Sequence, residues 1–484
     1  KLLHRWLMQL DAGVGGTDLP VARDAEPIVH AAHLRLVEDL REIVLSVAAR
    51  IPEETARYLR AIAEQRGKEY KVKEIRRFSQ VLARAAPAEL AALVEGTLIE
   101  PQRERGGGGW RDRTFAYTDL DFMPASPAQG PFYDLLRQAP DIGLNLIRRL
   151  AAHAVEHYSK GRAPGDDGYF IPFENGARFF PWTRSYYWAR GQSHDYALTS
   201  GLMALEAWGH ERLEAGEDID RVLADVLGPD GTCAAFLLIA VDLILSHWPK
   251  TRTASVPFLA CPELLAEERS RQTMDQMDLS AMPFRDEPAG KIKLEDLHKR
   301  ASRQMPLERL LFEFGGRDQD ANGKALNEKL AQAEARLGEF TEEATFADPA
   351  FMAHHAANVT NPANWIDGPE GQRLFRPPNR EAAHLARMQD RSNENVRVAN
   401  LEAGISLAIG DSKRGSPDLA RAAAEHADGA LPDFADSDYG KQNSSRLTAT
   451  AMLVARDGDD GLLAEHEQVG AGGEVVVPVH GDDS

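Results

Sequence analysis

The sequence predicts an all-α chain, an irregular, solenoid-like array of antiparallel helix pairs that carries one small β-hairpin. Three observations predict it. Apolar residues recur at three- and four-residue steps through most of the chain. Strand-like sequence is confined to one aromatic segment near residues 169–182. No repeat of fixed period accompanies the helices, which makes the array irregular.

From Ile28 to Arg50, the residues Leu36, Leu40, Ile43, Val44 and Val47 form one apolar stripe, leaving Arg35, Glu38, Asp39, Arg41 and Glu42 outward. Similar patterns fit 53–66, 69–86 and 87–99, the last opened by Pro87, a residue suited to a first helical turn. The run Gly106–Gly109 cannot continue a helix and reads as a loop or boundary. A short helix from Pro131 to Gln138 meets a break at Pro140, and a longer helix follows from Asp141 to Tyr158. Leu135, Ala139, Ile142, Leu146, Leu150, Ala154 and Tyr158 keep one buried face across that break. Tyr169 to Trp182 places aromatic runs on both sides of Asn175-Gly176, which predicts a hairpin with a two-residue type I′ turn.

Helices fit 197–215 and 218–227, and 232–248 is apolar on nearly all sides, as in a helix enclosed by others. Prolines interrupt the pattern after Pro249 until a helix near 306–314. Further helices fit 323–338, 380–409, 416–429 and 444–457, with a loop-rich stretch at 345–380. The closing AGGEVVVPVHGDDS predicts a frayed tail. These patterns predict three segments, an N-terminal helical one at 1–105, a central helical domain with the aromatic hairpin at 113–270, and an acidic helical segment at 271–484.

At 484 residues, the chain has room for two or three domains, and 43% hydrophobic content can fill large cores. The net charge of −19 divides as +2 before residue 114, −7 from 114 to 250 and −14 afterwards. Such an excess of carboxylates repels phosphate backbones and anionic membranes, which disfavours general nucleic-acid or membrane-surface binding. Cys233 and Cys261 are too few for a disulfide framework or a thiolate zinc site and predict small buried hydrophobes in a reducing compartment. The longest apolar run, Cys233 to Val241, is nine residues against the roughly 20 that span a bilayer. A cytoplasmic protein is the expectation, and the start at Lys1 suggests a fragment or a processed chain.

Motifs with chemistry are few. Gly106–Gly109 lacks a following Gly-Lys-Ser/Thr, and Gly323-Lys324 is followed by Ala325, so no phosphate loop is present and no cofactor is implied. His153-Ala-Val-Glu156-His157 matches the inverted zinc-peptidase string, but both rings fall on a polar helix edge with no third ligand to name, so no metal is expected. Asp318-x-Asp320-x-Asn322-Gly323 reproduces half of a calcium loop, with Lys329 where the bidentate Glu belongs. A polar turn that caps a helix explains it better. Ser193, His194 and Asp195 are consecutive, so their side chains point apart and form no relay.

The segment 169–196 holds ten aromatic residues in 28 positions, against 7% overall. Arg and aromatic side chains together suit bases, sugars, cationic groups or a partner's anchoring rings. Rings that glue an irregular hairpin to the helices are the competing reading. Arg178, Trp182, Arg184, Tyr187, Trp188 and Arg190 are the candidate recognition residues, and the three arginines are expected at the surface because burying them unpaired is costly. Catalytic residues are left unassigned.

The stretch PFYDLLRQAPDIGLNLIRRL, with FENGARFF, SYYWARG, ALTSGLMALEAW and CAAFLLIAVDLILSHWP, resembles the helical region of very large bacterial STAND-like NTPases, some associated with antiphage defence. The resemblance covers about residues 130–270 and transfers no catalytic residue. It implies a non-catalytic sensor or scaffold that binds a protein or other macromolecular partner and relays that event to an ATPase module elsewhere in a parent chain. The alternative is an all-α glycosidase or lyase of the α/α-toroid type. Its aromatics would stack sugars, and Glu174, Asp195 or His194 would serve as acid or base. A plain oligomerisation scaffold is a third reading.

Overall fold

The computed structural model describes residues 1–13, 27–65, 68–99, 113–191, 195–277, 292–315, 320–369, 372–434 and 440–470. The Gly106–Gly109 boundary, Ser193, His194, Asp318 and the closing tail lie outside the described residues. The fold is all-α, and the described residues hold two small antiparallel hairpins, one more than the sequence predicts. It divides into two compact units, Lys1–Pro377 and Pro378–Ser484.

The first unit opens with α1 (Leu2–Leu10), α2 (Pro27–Ser46), α3 (Pro52–Ala63), α4 (Glu69–Ile75), α5 (Ser79–Ala85) and α6 (Pro87–Leu98). Pro52 and Pro87 each sit in a first turn, where the missing N–H breaks no bond. On α2 the buried stripe is Val37, Leu40, Val44 and Leu45, while Leu36, Ile43 and Val47 face solvent. Arg41, expected outward, is buried because Asp11 waits for it: its Nε and Nη2 donate to the Asp11 carboxylate at 3.1 and 3.0 Å. Lys71 and the Tyr58 hydroxyl meet the same carboxylate, which is held below its usual range even though burial opposes its charge.

Next come α7 (Phe132–Gln138) and α8 (Pro140–Ser159). The break falls at Ala139, φ −146°, and Pro140 starts the second helix. Leu135, Leu146, Leu150 and Ala154 are buried as predicted, but Tyr158 is 47% exposed at the end of that face. The predicted hairpin follows as β1 (Gly168–Phe173) and β2 (Gly176–Pro181), with Phe170 opposite Phe179. Its turn is Glu174-Asn175, one residue earlier than expected. Neither residue has positive φ, so it is not type I′, and Gly176 alone carries the unusual backbone at φ +123°. A 3₁₀ turn, Thr183–Arg190, leads into α9 (Tyr196–Glu214), α10 (Ile219–Leu227) and α11 (Ala235–Ser246).

Every residue from Ala235 to Leu245 is buried, so α11 is the enclosed helix that its composition predicts. It packs on α9 where a Cβ on Gly209 would come within 2.8 Å of Leu243. The prolines beyond 249 conceal three helices, α12 (Arg252–Leu259), α13 (Pro262–Met277) and α14 (Leu294–His298). Then follow 3₁₀ turns at Ala301–Arg303 and Leu307–Leu310, α15 (Leu311–Gly315) and α16 (Ala321–Leu337). The loop-rich stretch contains α17 (Pro349–Thr360) and a second hairpin, β3 (Trp365–Asp367) with β4 (Arg373–Phe375). One continuous apolar core runs from Leu7 to Val359 through the first unit.

The second unit comprises α18 (Asn379–Gly410), α19 (Pro417–Phe434), α20 (Gly440–Asp457) and α21 (Asp460–Gly470). Its small core is rich in alanine and centres on Leu401, Ile405, Ala408, Ala423 and Leu453. No helix among the described residues is long and apolar enough to cross a membrane.

Candidate functional site

The segment 168–190 is fastened to the helices at three places. The hairpin turns Tyr169, Ile171 and Phe180 into the core, following the period-two alternation of a strand. Arg178 lies over the Phe180 ring at 4.3 Å and donates through Nη2 to the carbonyls of Leu227 (2.9 Å) and Pro229 (2.5 Å), closing the C-terminal end of α10. Tyr186 and Tyr187 donate their hydroxyls to Glu268 and Glu267 of α13. Burial and these carboxylates push both phenols well up.

Arg190 makes the third fastening, and here the structure corrects the expectation. Its side chain is 8% exposed and buried against carboxylates from α11 and α13. Nη1 and Nη2 grip Asp242 in a bidentate pair at 2.9 and 2.7 Å, while Nε donates to Asp275 at 3.0 Å. The rule that such a group needs partners holds; what chain order conceals is that the partners stand 52 and 85 residues away. Trp188 is buried too, 8% exposed, with Tyr158 5.8 Å from its ring.

Arg190 belongs to a larger buried cluster. Arg303 pairs with Glu206 and Asp242 at 2.9 Å each, and Arg271 pairs with Glu268 (2.7 Å) and Asp275 (2.8 Å). Arg271 also donates to the carbonyls of Ser302 and Met305. Burial works against ionisation of Asp242, yet Arg190 and Arg303 outweigh it and hold the carboxyl well below its ordinary range. Asp242 is the one charge inside α11, and Glu206 is enclosed in the buried run of α9. A carboxylate inside an otherwise apolar helix is the sequence signal that identifies both, because an unpaired one could not stay charged there.

Apart from the hairpin turn at Glu174–Ala177, the exposed side chains of the segment are Phe170, 52% exposed, and Arg184, with Trp182 half-buried. Phe170 pairs with Phe179 across the hairpin at 4.5 Å between centroids. Trp182 has φ +67° and ψ +76°, the left-handed region that bulky side chains avoid. Asp167 holds it there: its carbonyl accepts from Trp182 N at 2.6 Å, and its Oδ1 accepts from Thr183 N and Oγ1. Of the six candidates, Arg184 is exposed, Arg178, Trp182 and Tyr187 are half-buried, Trp188 is buried, and Arg190 is half-buried as a residue with its side chain enclosed.

The remaining motifs resolve locally. His153 meets the Thr114 carbonyl at 2.8 Å, whereas the His157 ring lies edge-on to Tyr158. Asp320 caps α16 by accepting from Gly323 N at 2.8 Å, and Lys329 donates to the Pro172 carbonyl of β1. Among the described residues no three His, Cys, Asp or Glu side chains converge as metal ligands. Glu174 is exposed at the hairpin turn. Asp195 is buried at the start of α9, where the Tyr158 hydroxyl donates to it at 2.8 Å. Beside it, Asp119 accepts from the amides of Tyr196 and Ala197, and burial, with Asp195 nearby, raises its carboxyl to about 6. The chain matches no known family model, and no functionally characterised protein matches it in sequence.

Proposed function

We propose that this chain is a non-catalytic helical sensor or scaffold, the region of a larger bacterial ATP-dependent protein of the STAND-like, defence-associated kind that engages a macromolecular partner. The contact surface in this reading is the outer side of residues 168–190, with Trp182 and Arg184 as its anchors and the buried ion pairs as its fixed base. The observation that carries it is the backbone of Trp182. A large aromatic residue in the left-handed region costs about 1–3 kcal/mol, and such outliers cluster where a side chain must be presented in one orientation. Asp167 retains that conformation although the ring is only half-buried. The half-buried ring rests against the main core, which leaves its outer side for a partner. A cytoplasmic setting fits the same reading, since its two cysteines are buried and unpaired with each other.

Photo-crosslinking from position 184 in the native cell tests the reading. A discrete adduct is expected from Arg184 and none from Arg221, whose side chain is 76% exposed on α10. Equal labelling from both positions, or from neither, would remove the basis for a recognition surface.

A further inference from the structure

The buried ion cluster contains a charge imbalance, and one imidazole is placed to correct it. Three guanidiniums, Arg190, Arg271 and Arg303, meet four carboxylates, Glu206, Asp242, Glu268 and Asp275, and every one of these side chains is 8% exposed or less. The set therefore carries one surplus negative charge in the interior, where an uncompensated charge is costly. Besides Arg303 Nε, two buried atoms here are left without a hydrogen bond, Glu206 Oε1 and His210 Nε2. They face each other 3.7 Å apart, one turn along α9, and both side chains are fully buried. On its other edge His210 Nδ1 lies 3.0 Å from His247 Nε2, and His247 is half-buried just past the end of α11. Carboxylate, imidazole and imidazole thus form a line from the cluster toward the surface.

We propose that Glu206, His210 and His247 form a one-proton latch. A proton taken onto the His210–His247 pair supplies an Nε2–H for Glu206 Oε1, keeps the Nδ1–Nε2 contact between the rings, and brings the buried cluster to neutrality. Loss of that proton restores the surplus charge on Glu206, the carboxylate that grips Arg303 and through it the 301–303 turn. The surroundings fit a single proton rather than two. Facing the rings are Glu206 and Glu214 from α9, and His247 and Lys250 after α11, with Arg300 beside the 301–303 turn. Asp242, Arg190 and Arg303 face Glu206 from the cluster side. Burial first and the neighbouring His210 ring second pull His247 down to about 4, which opposes a second charge on the pair.

The test is a pH series from about 5 to 8 on the full chain, within the range where imidazoles titrate. Side-chain nitrogen NMR of the two rings is recorded together with amide exchange at 299–303, corrected for intrinsic rates. The expected result is one proton taken up by the pair, with exchange protection of the turn falling up to tenfold per pH unit as that proton leaves. His210→Gln should flatten the exchange profile, and His247→Gln should shift the ring titration without abolishing it. Two independent titrations of the rings in wild type would overturn the proposal even where a variant fails to fold. So would a turn whose protection is unchanged across the series.

Discussion

Arg190 offers its guanidinium to Asp242 and Asp275 in a space that solvent barely reaches, so the two sides of the contact cannot be removed independently. Truncating one partner leaves the other charge buried and unpaired. We expect Arg190→Ala to cost about 3–5 kcal/mol in denaturant melts, and Arg184→Ala, on an exposed side chain, to stay within about 0.5 kcal/mol. Similar losses for both would place Arg184 in the core. Asp119 gives a prediction in pH. Its carboxyl is raised from 3.8 to about 6, so the folded state holds its proton more tightly than the unfolded chain does. Its contribution is therefore fully present below about pH 4 and is lost as pH rises through 6, a decline of up to about 3 kcal/mol. Urea melts at pH 4.5 and 7 should show about 2 kcal/mol of that decline in wild type and less in Asp119→Asn. An unchanged difference would remove Asp119 as its source. At this scale the sequence is informative about need and silent about partner: it marks Arg190, Asp242 and Glu206 as groups that must be paired, while the pairing depends on contacts across tens of residues.

The amphipathic helices α3, α6, α8, α9 and α16, and the all-apolar α11, stand within a few residues of their predicted positions, since apolar spacing and first-turn prolines act locally. The helices concealed by proline are instructive. Pro262 and Pro349 open α13 and α17, a role that requires no N–H, so they mark starts where a break was expected. Asp348 confirms the second start by accepting from the amides of Ala350 and Phe351. The second hairpin, three residues per strand, is too short for alternation to register. For α16 the local reading carries a prediction. Lys329 gives its ammonium to the Pro172 carbonyl and Asp320 is taken up by Gly323 N and Arg252, so neither residue offers a cation a bidentate carboxylate. Millimolar calcium should leave the melting temperature unchanged, whereas a ligand at 100 times its Kd would stabilise by about 2.7 kcal/mol. A clear rise would mean that calcium binds there after all.

Across the whole molecule, the first unit is built on a large apolar core and the second on a small alanine-rich one. The fold class was legible because helical periodicity is a property of the chain alone. The candidate site was legible only as a composition, ten aromatics with interleaved arginines, because that composition serves a surface and a core equally well. Packing divides it: Trp188, Tyr186 and Arg190 go inward, while Phe170 and Arg184 stay out. Trp182 is the residue on which the account turns. Its stability effect distinguishes presentation from packing, and glycine, which enters the left-handed region without strain, is the informative replacement. In equilibrium melts, Trp182→Gly should remain within about 1 kcal/mol of wild type and exceed Trp182→Ala by about 1 kcal/mol, the strain that alanine retains. A loss of about 3–5 kcal/mol in both variants is what a ring filling the core would give, and it would contradict the account.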